Sequence, residues 1–190
     1  MPRRWSWRTG TSMVRAAIST DSPGGAKRGM VSSVRRHWLF KTEPGEYSIE
    51  DLAAEPKGAR WDGIRNYQAR NLLRDQVSVG DGVFIYHSSC TPAGIAGVAV
   101  VSAAAYADPS QFDPASRYHD PTATSERPRW FCVDLQFVAR LPRLLTLAEI
   151  RAIPELHDMV LLRQGRLSIQ PVVAAEWRTL LRYAGLPPEL

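Results

Sequence analysis

The chain has 190 residues, 44% hydrophobic and 23% charged, with a formal net charge of +5 and two cysteines. That length suits one compact domain with a substantial core, no run of about 18 apolar residues offers a bilayer span, and no apolar segment follows the N-terminal arginines as in a secretory signal. Cys90 and Cys132 are too few for a disulfide framework and form no CxxC pair, so both read as free thiols of an intracellular, cytoplasmic protein.

Residues 1–36 carry eight basic side chains against Asp21, a net of +7, and include the chain-breaking run Thr20-Asp21-Ser22-Pro23-Gly24-Gly25. A disordered basic extension is expected there. An arginine-rich arm on phosphates, a transit peptide and translated sequence upstream of Met30 compete as its origin, and the last is preferred. Residues 37–190 form the expected folded domain. They hold sixteen basic against eighteen acidic side chains, a net of −2, so nucleic-acid binding there needs a local patch and a specific pocket rather than a large positive field.

The aromatic run His37-Trp38-Leu39-Phe40-Lys41 predicts the first strand, ended by Pro44-Gly45. Ser48 with Asp51 makes a capping box for a short helix closed by Pro56 and Gly58. Trp61 to Gln68 is expected as a loop, after which Asn66 caps a helix from Tyr67 to about Asp75 with Ala69, Leu72 and Leu73 facing the core. Val83 to His87 reads as a strand, and Ile95 to Val101 as one buried on both faces. Arg129 to Arg140 alternates like a half-exposed strand, with Cys132 on its polar side. The intervening loop, Asp108 to Pro128, is long enough to carry function. Thr146 and Glu149 open another short helix, Ser168 to Val172 is a last strand, and Ala174 to Tyr183 a terminal helix. Strands with short peripheral helices and no βαβ repetition predict an α+β, barrel-like domain.

No glycine-rich phosphate loop, GxSxG elbow or HExxH motif is present. Cys90 near His87 reads as a small buried thiol rather than a nucleophile. His87, Cys90, His119 and Cys132 match no zinc-ligand spacing, so no metal and no cofactor is expected. Asp113, Asp120 and Glu126 read as turn caps. Trp38, Tyr86, Trp130 and Trp177 read as core. The segment Trp61-Asp62-Gly63-Ile64-Arg65-Asn66-Tyr67-Gln68 places a flat ring beside an acid, an arginine and amides. That suits a flipped base, which needs a partner for its π face, hydrogen bonds at its edge and a cation for its phosphate. A core Trp61 with Asp62 capping a turn fits the same residues equally well.

The segments Trp38-Leu39-Phe40-Lys41-Thr42-Glu43-Pro44, Tyr47-Ser48-Ile49-Glu50-Asp51-Leu52, Trp61 to Asn71, Val83-Phe84-Ile85-Tyr86-His87-Ser88, Phe112-Asp113-Pro114, Tyr118-His119-Asp120-Pro121 and Arg166-Leu167-Ser168-Ile169-Gln170-Pro171-Val172 closely resemble the EVE-domain family, in the family's order. The resemblance implies a PUA-like fold, a twisted β pseudo-barrel with helices around it, related to YTH-type readers of methylated adenine. It further implies a non-catalytic module that reads modified bases in DNA or RNA, and a monomer that accepts one base, a modified cytosine first, is expected. Lys41, Thr42, Trp61 and Asp62 match the pocket lining of the related readers, and the expected pocket is completed by Asn66, His87, Ser88, Tyr118 and Ser168. Arg65 and Arg117 are expected at phosphate or the rim. His119 stands where many relatives carry a second tyrosine, which leaves Tyr118 as the better contact. An enzyme acting on a flipped base, with Asp62 activating water, and a protein-interaction module using the same cleft are the rival readings.

Overall fold

Alternation along the first strand divides the core in two. The computed structural model describes residues 35–190, and the expectations for the N-terminal extension fall on residues outside the described ones. Within β1, His37–Thr42, Trp38 and Phe40 point to one face of the sheet and Leu39 to the other, and all three are buried. This is the period of two that any strand imposes. The first face is covered by α1, Ile49–Ala53, and α2, Tyr67–Asp75. The second is covered by α3, Leu147–Ala152, α4, Val160–Arg163, and α5, Ala174–Ala184.

The remaining strands are β2, Ala59–Trp61, β3, Gly82–His87, β4, Gly94–Ala107, β5, Phe131–Thr146, and β6, Ile169–Val172. They form one six-stranded sheet in the order β2-β5-β4-β3-β1-β6. Only β1 and β3 run parallel, with Lys41 beside Tyr86 and Thr42 beside His87; the other pairs are antiparallel. The long β4 and β5 slip register at four places, and such bulges increase local twist. With β2 and β6 at opposite ends the sheet is open, and the molecule is the α+β, PUA-like architecture expected, in pseudo-barrel form.

Both capping boxes form as read: Ser48 Oγ accepts from Asp51 N and Thr146 Oγ1 from Glu149 N. The second helix has the expected bounds, and Asn66 Oδ1 accepts from Ala69 N. Trp38, Tyr86, Trp130 and Trp177 are buried. Two expectations are corrected. Trp61 is not in a loop; it ends the short strand β2, opposite Val133. Cys132 is fully buried rather than polar-facing, and burial pushes its thiol up to about 12. Its Sγ lies 3.7 Å from Tyr106 O, at the stretch where bulges disturb the alternation.

Candidate functional site

Parallel pairing brings the ends of β1 and β3 to the same edge of the sheet, so residues more than forty positions apart in sequence arrive together. Thr42 O accepts from both Ser88 N, at 2.8 Å, and Ser88 Oγ, at 3.1 Å. Lys41 N donates to Ser168 O at 2.9 Å, tying in the start of the last strand. Thr42 Oγ1 donates to Tyr47 O, fixing the turn into α1. His87 Nε2 accepts from Ile49 N at 3.1 Å, so the ring is neutral there, and burial, ahead of nearby charges, lowers its pKa. Lys41 Nζ donates to Gly165 O at 2.7 Å and lies 5.3 Å from the centre of the Tyr86 ring. Burial lowers the Lys41 pKa too.

A second group of residues gathers around the turn after β2. Gly63 has φ +75, and a Cβ there would stand 2.7 Å from Tyr118 Cζ, so the Tyr118 ring lies directly on the turn backbone. Asp108, absent from the residues picked out by sequence, organises this turn. Its fully buried carboxylate accepts from Gly63 N, Ser110 N, Ser110 Oγ and Arg65 Nη1. Burial alone would raise its pKa, but the hydrogen bonds from Ser110 and Arg65 outweigh that and hold it below the usual carboxylate range. The signal was present as Asp108-Pro109-Ser110, an acid capping a turn with proline at its first position.

Arg65 is spent internally: Nε and Nη2 donate to Tyr118 O, Nη1 to Asp108 and Ile64 O, and Nη2 also to Ser110 Oγ. It locks the rim in place rather than standing free for a phosphate. Arg117 is exposed, donates to Tyr118 Oη at 2.6 Å and pairs with Glu46 at 3.2 Å. Asn66 is exposed, with Oδ1 occupied by its cap. Trp61 is 6% exposed, with its ring centre 6.0 Å from those of Phe40 and Tyr47. Little of its face is open to a ligand, and its removal carries the cost of a core aromatic.

Asp62 is half-buried and, among the described residues, forms no ion pair. Burial, then the charge of Asp108, raises its pKa. The long loop is stapled by buried Gln111. Its Nε2 donates to Asp108 O and Trp130 O, while its Oε1 accepts from Arg129 N and Trp130 N. Two of the three loop carboxylates cap turns as read: Asp113 accepts from Ala115 N, and Asp120 from Thr122 N and Trp130 Nε1, whereas the Glu126 carboxylate accepts from Ser125 Oγ. His119 is exposed, which leaves Tyr118 as the ring that packs on the turn.

The open six-stranded sheet with short helices on both faces is that of a PUA-like domain. The family model for the EVE domain matches residues 36–183, and the chain belongs to the EVE-domain family. Thymocyte nuclear protein 1 of Homo sapiens is 36% identical over 191 residues, 91% of this chain and 84% of that protein. A hypothetical protein from Leishmania major superposes with a TM-score of 0.77 at 46% identity, covering 80% of this chain and 95% of that one. The human THYN1 protein, solved in complex with 5-methylcytosine containing DNA, gives a TM-score of 0.76 at 39% identity, covering 80% and 99%.

Proposed function

We propose that this chain is a non-catalytic, monomeric, intracellular reader that accepts one modified cytosine of a nucleic acid between the β1–β3 strand ends and the Gly63–Tyr118 rim. The carrying observation is the human relative bound to 5-methylcytosine DNA. The geometry supports it with a flat ring, Tyr118, over a turn that bears Asp62. A carboxylate there accepts a hydrogen bond from the exocyclic amine of cytosine, which a donor in its place cannot do. Lys41 and Ser168 bound the far side, His87, Thr42 and Ser88 hold the floor, and Trp61 backs the wall from the core. Asn66 starts α2 beside the site.

The test is titration of the full chain with two otherwise identical strands, one carrying a single 5-methylcytosine, as DNA and as RNA. The methylated strand binds more tightly, both strands are recovered chemically unchanged, and Asp62→Asn changes discrimination between cytosine and other bases at that position more than overall affinity. Equal binding of the two strands by the parent would refute the reading, and a product strand would favour the enzyme instead.

A further inference from the structure

Beyond the base site, guanidiniums and aromatic rings alternate in one unbroken ladder. Arg117 and Arg65 lie 4.8 and 5.2 Å from the centre of the Tyr118 ring. Arg65 is also 5.3 Å from Trp130, and Arg70 is 5.9 Å from Trp130 and 4.8 Å from Tyr67. Arg129 follows, 5.8 Å from Tyr67. The ladder thus starts at the rim and ends in an open cleft lined by Thr122, Thr124, Arg127 and Arg129.

Three of its four guanidiniums have carboxylate partners and the fourth, Arg70, has none among the described residues. Arg65 pairs with Asp108, Arg117 with Glu46 and Arg129 with Asp120. Arg70 is held by neutral acceptors alone, Asn71 Oδ1 and Arg129 O. Arg127, exposed, bonds to Thr124 through its backbone alone, and its guanidinium has no partner among the described residues. Tyr67 beside them is 49% exposed. Cations fixed by stacking lose little freedom on meeting an anion. A track of them with exposed ring surface suits a polymer of phosphates and flat bases.

We infer that this track and its cleft bind the sugar–phosphate backbone of the strand flanking the recognised base, with Arg127 and Arg70 meeting phosphates. The inference rests on the reader proposal only in taking the ligand to be a nucleic acid. It also explains how a domain of net charge −2 over residues 37–190 holds a polyanion. A phosphorylated peptide would use the same cations but gains nothing from a track that leads to a base site.

The experiment titrates the full chain with the methylated strand and its unmodified twin between about 50 and 200 mM salt. Arg127→Gln should lower the slope of log affinity against log salt by about one and weaken both strands by the same factor, leaving their ratio unchanged. Arg127→Glu should lower affinity further. Arg178→Gln, exposed on α5 in a cleft with Arg182 and Leu186, should leave the slope alone. An unchanged slope in both Arg127 variants, with methyl discrimination intact, overturns the track and spares the reader. A lowered slope in the Arg127 variants, with a parent that does not discriminate between the strands, sinks the reader and keeps the track. Binding of phosphopeptide but of neither strand removes both.

Discussion

Asp108 carries the least tolerant interaction in the site, because a carboxylate with no solvent exposure has its negative charge answered by one guanidinium and three neutral donors. Removing one partner of such a pair leaves a charge buried and unmatched, which costs about 3–5 kcal/mol. Arg65 keeps 22% exposure, which places Asp108→Ala toward the lower end of that range. The pH dependence has a fixed sign. The folded-state pKa of Asp108 is depressed, so its stabilisation is fully present above the unfolded value of about 3.9 and is lost as pH falls through the folded value. Urea denaturation of parent and Asp108→Ala should therefore differ most at neutral pH and converge below about pH 4. A difference that stays constant into acid would mean that the carboxylate charge contributes nothing. Tyr118 should also lose its anchor in this variant, since Arg65 reaches the Tyr118 carbonyl only while Asp108 holds it.

Elements position the site through contacts of two kinds, and sequence displays only one of them. The capping residues Ser48, Asn66 and Thr146 act within one turn, so the starts of the helices they cap were legible. The three residues of β2 are too few to alternate, and that strand exists because it pairs with β5. For the same reason the residues around Trp61 read equally well as a pocket wall or as core, and the pairing of β2 with β5 decides for core. The parallel register that joins Thr42 to His87 is set by packing across both sheet faces and leaves no local mark. Gly63 shows the two kinds of contact meeting in one residue. An alanine at its positive φ costs about 1–2 kcal/mol in backbone strain, and its methyl would also collide with the Tyr118 ring. Gly63→Ala should thus weaken binding of the methylated strand and lower stability, and adding Tyr118→Ala should return part of that stability. Strict additivity in this double-mutant cycle would show that the ring does not rest on the turn.

At the scale of the whole molecule the charge is divided between regions with opposite signs, and this separates affinity from selectivity. Residues 1–36 carry +7 and residues 37–190 carry −2. Long-range attraction to a nucleic acid is therefore concentrated in the N-terminal segment, whereas the groups proposed to distinguish one base from another, Asp62 and Tyr118, belong to residues 37–190. Attraction of the first kind is sequence-independent and salt-sensitive; discrimination of the second kind depends on desolvated contacts and is much less so. Deleting residues 1–29, which removes six basic side chains and Asp21, should flatten the salt dependence and weaken both strands alike. The sheet, whose first strand begins at His37, should keep its thermal midpoint to within a few degrees, because a loss of about 1 kcal/mol would already shift it by roughly 2–4 °C in a protein of this size. The ratio of affinities for methylated and unmodified strands should not change. If the deletion abolished that ratio while the midpoint held, base selection would depend on the N-terminal segment and the site around Asp62 and Tyr118 would be incomplete without it.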